Sequence, residues 1–452
     1  MPHATFPIDF VFGCSTSAYQ IEGAVSADGR GPSIWDDFAH RPEAIRDGST
    51  ADVACDHYHR YREDLDLLAD LSVDAYRFSV SWPRVLPDGT GTVNEDGLDF
   101  YDRLVDELLA RGIEPFATLY HWDLPLALGR AGGWRRRSTT DHFAGYAEAV
   151  VRRLGDRVRR WVTINEPLTI VSSGYLSGRH APGMRNPVAA AAVTHNLLLA
   201  HGKGAQVIRS HRGNAEIGIA NAFAPAYPAR EKDERIALRI SRIVNGLFMD
   251  PIFRRRYPRE VAPVMRLLNR GIRPGDMELI GTPIDFVGVN HYTRFIARRT
   301  LLPFIGYRVL RPVYDGVLFT DMSWEIYPQG FYRILRWIGE EYGNPSIYVT
   351  ENGAAFRDRR EGGTIEDHDR INYLETYLSN LRHALRDGSD VRGYFVWSLL
   401  DNFEWDHGLS KRFGLIHVDY STLERTVKAS GRWYADVCRQ HRRARKAAGN
   451  SL

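Results

Sequence analysis

Apolar residues recur along the chain in two alternating rhythms. Short runs of strand formers, closed by a polar residue and a chain breaker, predict strands; longer stretches with apolar positions three and four apart predict helices. Strands are expected at Phe10–Ser17, Asp74–Trp82, Ile113–Trp122, Val158–Glu166, Ala215–Ala222, Asp285–Tyr292, 346–351 and Val391–Leu400. Helices are expected at Tyr58–Leu71, where Tyr61, Leu65, Leu68 and Leu71 line one face, and at Leu98–Arg111, Thr140–Leu154, Ala192–Ser210, Tyr332–Tyr342, Tyr373–Arg386 and Ser430–Lys446. Asp28–Ser49 reads as loop punctuated by Gly and Pro, 223–284 as a helical insertion with loops, and 294–328 as a long irregular connection. Strands alternating with helices along a continuous chain predict an α/β fold, a closed parallel barrel. A doubly wound open sheet would carry a Gly-rich phosphate turn after an early strand, and the chain has none, nor a Gly-x-x-x-x-Gly-Lys loop. No linker or low-complexity tract divides the chain, so residues 1–452 are expected to form one domain.

Two of the strand patterns end alike. Trp-Val-Thr-Ile-Asn-Glu-Pro at 161–167 and Ser-Ile-Tyr-Val-Thr-Glu-Asn-Gly at 346–353 each run from apolar residues to a carboxylate and then a breaker. Strand ends are where a parallel barrel places catalytic groups. Two carboxylates at equivalent strand ends, Glu166 and Glu351, are what glycoside hydrolysis needs. Other polar or aromatic residues fall at or just past strand ends in the same way: Gln20, His121, Trp122, Asn165, Asn290, Tyr292, Trp397, Glu404 and Trp405. Together they would place hydrogen-bonding groups around one pocket. Arg77 lies inside an otherwise buried strand pattern, and a buried guanidinium needs a carboxylate partner.

Composition narrows the function classes. A hydrophobic share of 44% with 25% charged residues is that of a globular protein, and 10 Trp, 22 Tyr and 20 Phe suit a site that stacks flat apolar faces. A net charge of +3 implies no strong partner preference. The basic clusters 135–137, 152–160 and 442–446 accompany helical patterns and read as solvated helix faces, so no nucleic-acid partner is expected. Cys14, Cys55 and Cys438 are odd in number and widely spaced, which fits a reducing, cytoplasmic setting rather than a disulfide framework. The N-terminus lacks a basic start followed by an apolar core, and no run of about 18 apolar residues occurs, so neither a secretory signal nor a membrane span is expected. His57 and His59 have a His-x-His spacing without a third ligand nearby; no metal and no cofactor are expected.

On these residues the chain resembles glycoside hydrolase family 1, the β-glucosidase family. The matching stretches are Gly13–Gln20 with Glu22-Gly23, Arg77–Ser79 with Ser81–Arg84, Leu119–Pro125, Thr163–Pro167, Asn290–Thr293, Thr320–Pro328, Thr350–Gly353 and Trp397–Trp405. They span nearly the whole chain in order. The resemblance implies a single (β/α)8 TIM barrel with extended βα loops and retaining hydrolysis of β-glucosides or short β-linked oligosaccharides, with some tolerance for β-fucosides or β-galactosides. It implies that Glu166 is the acid/base and Glu351 the nucleophile, supported by Arg77, Asn165, Asn290 and Tyr292. By the same resemblance Gln20, His121, Trp122, Trp397, Glu404, Trp405 and Phe413 hold the sugar and Trp324 flanks the leaving group. Glu404 is expected to act as an ionised acceptor.

The pattern has two departures. His291 stands where a Tyr is common, with little effect expected. Thr300–Leu318 is apolar for a loop at a barrel mouth, and it fits packing on the body, an apolar wall for the leaving group, or a contact in a homo-oligomer. Two other functions compete. A 6-phospho-β-glycosidase shares the fold, and Lys411 resembles a phosphate-binding lysine of that subgroup, but Glu404 and Phe413 stand where that subgroup has a small hydroxyl residue and a Tyr. A non-catalytic carbohydrate-binding member of the fold would have lost a carboxylate, and both are present.

Overall fold

The structure, a computed structural model, describes residues 6–269, 271–300, 307–311 and 316–449. Parallel strands β1 (Val11–Ser15), β2 (Ala75–Ser79), β3 (Glu114–Tyr120), β4 (Arg160–Asn165), β5 (Glu216–Ala222), β6 (Phe286–Asn290), β7 (Ile347–Asn352) and β8 (Val391–Trp397) close into a barrel in chain order, with β8 pairing back onto β1. Each strand leads to an outer helix: α1 (His57–Asp70), α2 (Glu95–Ala110), α3 (Ser138–Leu154), α4 (Pro187–His211), α5 (Glu234–Gly246), α6 (Pro328–Tyr342), α7 (His368–Arg386) and α8 (Ala429–Gly449). The strand and helix expectations hold, with ends moved by a few residues.

The period of two along the strands separates two kinds of burial. In β2, Tyr76 and Phe78 join the large apolar layer beneath the helices, whereas Ala75 joins a second cluster inside the barrel with Phe116, Val162, Ala220, Phe286, Tyr348 and Phe395. The Phe116 ring lies 5.4 Å from Phe286, 5.5 Å from Tyr348 and 5.1 Å from Phe395, centroid to centroid. Gly13 and Gly218 make room for this plug: a Cβ there would lie 2.4 Å from the Phe395 ring and 2.3 Å from the Phe286 ring. The plug fills the barrel interior, and the polar residues collect at the C-terminal strand ends.

Register slips at two of those ends. β4 loses its even pairing with β5 between Val162 and Asn165, and β7 slips against β6 between Val349 and Glu351. Such irregularities bend a strand and re-aim side chains. In β4, Val162 points into the barrel, Ile164 joins the outer layer, and Asn165 turns inward again. The two strands that carry the glutamates are thus the ones whose alternation is interrupted next to them.

Four segments depart from the sequence reading. The stretch expected as loop at 28–49 contains a helix, Ile34–Ala39, capped by Ser33 and Asp36 in a reciprocal capping box. Gln20 sits not at a strand exit but on a helical turn, Ala18–Ile21. The connection expected to be irregular at 294–328 contains strands Phe295–Arg299 and Tyr307–Leu310, and Phe295–Arg299 pairs with Tyr307–Leu310 on one side and Ala226–Pro228 on the other in a small three-stranded sheet outside the barrel. After β4 the chain makes a short helix, Pro167–Thr169, and a π-helix, Ile170–Leu176. In the apolar stretch Thr300–Leu318, residues 301–306 and 312–315 lie outside the described residues; Val309 and Leu318 are exposed, so these two do not pack on the body. No helix among the described residues is long and apolar enough to cross a membrane.

Candidate active site

Arg77 is the hub. Its side chain is fully buried and its fork donates to Glu351 Oε1 at 2.7 Å, Asn165 Oδ1 at 2.7 Å, Thr118 Oγ1 at 3.1 Å and the Thr350 carbonyl at 3.2 Å. The carboxylate partner expected for a buried guanidinium is Glu351. The other Glu351 oxygen accepts from the Tyr292 hydroxyl at 2.7 Å. Burial, then the charge of Glu351, pushes the Tyr292 phenol well up, so it remains a donor.

A guanidinium can only donate, so it fixes the polarity of the bonds beyond it. Asn165 Oδ1, taken by Arg77 and by Asn290 Nδ2 at 3.1 Å, turns the Asn165 amide nitrogen toward His121 Nε2 at 3.0 Å. That ring nitrogen therefore accepts. Burial, then the charge of Arg77, holds His121 well below the usual histidine range, so its single proton rests on Nδ1. Nδ1 is buried without a protein partner, and the ring stacks on Trp397 and Trp405 at 5.9 Å from each. The ring edge is thus a donor toward the space these residues surround.

Glu166 lies one residue past the end of β4. Its Oε1 accepts from Asn290 Nδ2 at 2.9 Å and its Oε2 from Thr169 Oγ1 at 2.8 Å. Burial first, and the charge of Glu351 second, push its carboxyl up to about 7, against the two hydrogen bonds and Arg77. Desolvation is thus the larger cause and the neighbouring carboxylate the smaller. Glu404 differs further from expectation. Burial, then the charges of Glu351, Asp406 and Glu166, push it up to about 8, so at neutral pH it is mainly the neutral acid rather than an ionised acceptor. Its Oε2 is buried without a hydrogen-bond partner.

Three residues here hold left-handed backbone: Trp122 at φ 83°, Glu166 at φ 46° and Trp405 at φ 47°. Such angles cost energy in non-glycine residues and persist where surrounding structure dictates them. Trp122 Nε1 donates to the Asn165 carbonyl at 2.9 Å, and the Trp122 and Trp405 rings lie 4.3 Å apart. Trp35 closes on Trp405 at 4.6 Å. Opposite this wall, Trp397, Phe413 and Ala355 form a small cluster with Tyr292, Met322 and Trp324 against it. Trp324 lies 5.2 Å from Tyr292 and 6.2 Å from Phe413.

Gln20 is more committed than the sequence suggests. Its amide donates to Asn402 Oδ1 at 3.0 Å and to the Phe403 carbonyl at 2.8 Å, and its oxygen accepts from Ser17 at 2.6 Å. It therefore holds the segment leading to Glu404 and keeps only an acceptor lone pair for a ligand. Lys411 is bound by Asp321, at 2.8 Å to the carboxylate and 2.9 Å to the carbonyl. His291 is a core residue: Nδ1 donates to the Phe223 carbonyl at 2.9 Å and the ring stacks on Phe331, with burial pulling its pKa down to about 4.

Sequence reasoning missed Thr169, His180 and Asp406. His180 Nε2 lies 3.1 Å from Asp406 Oδ1, and its ring packs 5.4 Å from Trp35 and 5.5 Å from Trp122. Burial, the largest single cause, opposes ionisation of Asp406, but the His180 hydrogen bond and the charges of His180, Arg179 and His407 together outweigh it and bring the carboxyl down to about 2. The position of Asp406, directly after Trp405, was the one available signal.

The His-x-His pair does not converge on a metal. His57 Nδ1 is bonded to buried Asp64 at 2.8 Å, whereas the exposed His59 pairs with Asp56. Among the described residues, Asp358, Asp401 and His417 bring three ligand-type atoms together. The buried Lys428 ammonium already sits on this group, 2.6 Å from Asp358 and 2.7 Å from Asp401.

Known proteins are similar to this chain along nearly its whole length. The chain is 45% identical over 448 residues to "Beta-glucosidase A" of Acetivibrio thermocellus, covering 98% of this chain and 100% of that one. It is 42% identical to the "Bifunctional beta-D-glucosidase/beta-D-fucosidase" of Bifidobacterium breve, over 96% of this chain and 98% of that one. The solved "Family 1 b-glucosidase from Thermotoga maritima" superposes with a TM-score of 0.94 at 45% identity, over 98% of this chain and 99% of that one. The family model described as "Glycosyl hydrolase family 1" matches residues 2–443, so it takes in every strand of the barrel and both glutamates, and the chain belongs to that family.

Proposed function

We propose that the chain is a β-glucosidase that releases terminal non-reducing β-D-glucosyl residues with retention, through Glu351 as nucleophile and Glu166 as acid/base. One observation carries the reading: two buried carboxyl groups share one hydrogen-bond network but have opposite surroundings. Glu351 is bonded by a guanidinium and a phenol, while Glu166 is pushed up to about 7. Carboxyls whose environments are driven apart divide into nucleophile and acid.

In the first step a Glu351 oxygen bonds to the anomeric carbon as the glycosidic C–O bond breaks, and Glu166 gives its proton to the leaving oxygen. The Glu351 ester then carries no charge. Glu166, now a carboxylate, takes a proton from water as the water oxygen displaces Glu351 from the same carbon. Two inversions retain the β configuration. Arg77 and Tyr292 hold Glu351 in line, and Asn165, held by Arg77, is placed for the 2-hydroxyl. Trp122, Trp405 and Trp397 offer apolar faces to the ring, His121 Nδ1 and Trp324 face the glycone and leaving-group sides, and Phe413 backs Trp397. Glu404 and Gln20 complete the hydroxyl contacts.

Tolerance for β-fucosides or β-galactosides belongs to the same proposal. The phosphoglycosidase alternative is disfavoured because Lys411 is already paired with Asp321 and three carboxyl side chains surround Glu404. The non-catalytic alternative is disfavoured by the presence of both glutamates. Three buried free thiols, Cys14, Cys55 and Cys438, fit a reducing compartment such as the cytoplasm. The test is turnover of aryl β-glucoside, β-fucoside, β-galactoside and 6-phospho-β-glucoside, with NMR of the first-formed anomer. Glucoside turnover releasing the β-anomer is expected; an α-anomer, or preference for the phosphorylated sugar, would sink the reading.

A further inference from the structure

Among the described residues, one hydroxyl is hydrogen-bonded to the Glu166 carboxyl. The glutamate caps the short helix Pro167–Thr169 and stands in left-handed backbone. Thr169 folds back on it twice: its N–H donates to the Glu166 carbonyl at 3.0 Å, and its Oγ1 donates to Oε2 at 2.8 Å. The opposite oxygen belongs to Asn290. That amide cannot turn over, because its Nδ2 also donates to Asn165 Oδ1, which Arg77 holds as an acceptor, so it offers Glu166 only N–H groups. The Thr169 hydroxyl is a rotor. It can donate to a carboxylate and accept from a carboxylic acid.

The double role assigned to Glu166 makes opposite demands on this carboxyl. Burial and the charge of Glu351 both favour the protonated state that the first step uses. Arg77 and the bonds from Asn290 and Thr169 act the other way, while Glu404 and Tyr292 also face the pair. Once Glu351 is esterified its repulsion is gone, and Glu166 must stand ready as a carboxylate with one oxygen aimed at water. We propose that Thr169 is the positioning residue for that state: its hydroxyl fixes Oε2 and stabilises the carboxylate that serves as base. The proposal rests on the acid/base reading of Glu166.

The experiment compares Thr169→Val, which keeps the shape, with Thr169→Ser, which keeps the hydroxyl, and uses Thr169→Ala as a second deletion of the hydroxyl. With a dinitrophenyl β-glucoside the leaving group needs no proton, so kcat reports the base-assisted second step. In both hydroxyl-free variants kcat should fall about tenfold, and on a phenyl β-glucoside, whose leaving group does need a proton, the alkaline limb of kcat/KM should rise by about one pH unit, the order of a lost bond to a charged group. Azide, which needs no base, should restore turnover, and Thr169→Ser should match the parent in both readouts. Folded Thr169→Val and Thr169→Ala with parental kcat and an unmoved alkaline limb would overturn the proposal. Azide rescue of Glu166→Ala is measured beside them. If it fails, the acid/base reading falls; if it succeeds while the Thr169 variants are silent, only the role of Thr169 falls.

Discussion

Replacing Arg77 by Met should separate the electrostatic role of the hub from its hydrogen bonds. The substitution removes a fully buried cation and leaves Glu351 buried without it. Removing one partner of such a pair costs roughly 3–5 kcal/mol, because the remaining charge is uncompensated. The other lost bonds add less, since Asn165 Oδ1 keeps Asn290 and the Thr350 carbonyl keeps Ser15 at 2.7 Å. The charge term therefore dominates and can be isolated by a cycle with Glu351→Gln. Each single variant strands a buried group, whereas the double variant strands neither charge, so the cycle should show coupling of about 3 kcal/mol or more. Guanidinium unfolding followed by tryptophan fluorescence gives the four stabilities. In activity, Arg77→Met should lower kcat/KM, and Arg77→Lys should lower kcat less, through the loosened Asn165. Additive losses in the cycle would refute the reasoning.

Three further outcomes are expected. Glu166 acts protonated, and its carboxyl stands at about 7, so kcat/KM should be full below neutrality and fall as pH rises through about 7; an alkaline limb that persists unchanged in Glu166→Gln would exclude it as the acid. Glucosides should exceed their 6-phosphates by orders of magnitude in kcat/KM, because the carboxylates of Glu351 and Asp406 face the Glu404 corner, and Glu404→Ser should narrow the gap by making room there; a pH-rate comparison of the two substrates checks it. Lys428→Met leaves Asp358 and Asp401 facing each other in a buried site, so it should cost roughly 3–5 kcal/mol of stability in guanidinium unfolding, and a loss below about 1 kcal/mol would show that Arg370 and Arg412 suffice.

The barrel was legible because its strands are short apolar runs with breakers between them, and both glutamates because β4 and β7 close on a carboxylate followed by Pro or by Asn-Gly. The need of Arg77 for an acid was legible for the same local reason. The slips in β4 and β7 were not, since register belongs to pairs of strands and neither sequence carries it alone. The helix at 34–39 was signalled by Ser33-x-x-Asp36 but hidden among surrounding glycines and prolines. The strands at 226–228, 295–299 and 307–310 are short and largely exposed, so no period of two builds up. The protonation of Glu404 depends on burial and on the charges of Glu351 and Glu166 from distant segments beside that of nearby Asp406, and the grip of Thr169 depends on a left-handed turn at Glu166; no local pattern announces either.

The small outer sheet has a consequence for how such a protein can vary. It joins the loop that follows β5 to the loop that follows β6, through backbone pairing at Ala226–Pro228 and further bonds from Phe295 to Pro225, Ala229 to Ala297 and Arg299 to Asp233. Two surface loops that tolerate change singly in a simple barrel are here one inheritable unit. An insertion in one must preserve the pairing edge offered to the other. A chimera that exchanges 223–284 between relatives without 294–311 should break this edge and fold poorly, while exchange of both together should be accepted. The same coupling makes the pair a natural cassette for altering the leaving-group side of the mouth, because Trp324 lies just downstream in the same connection.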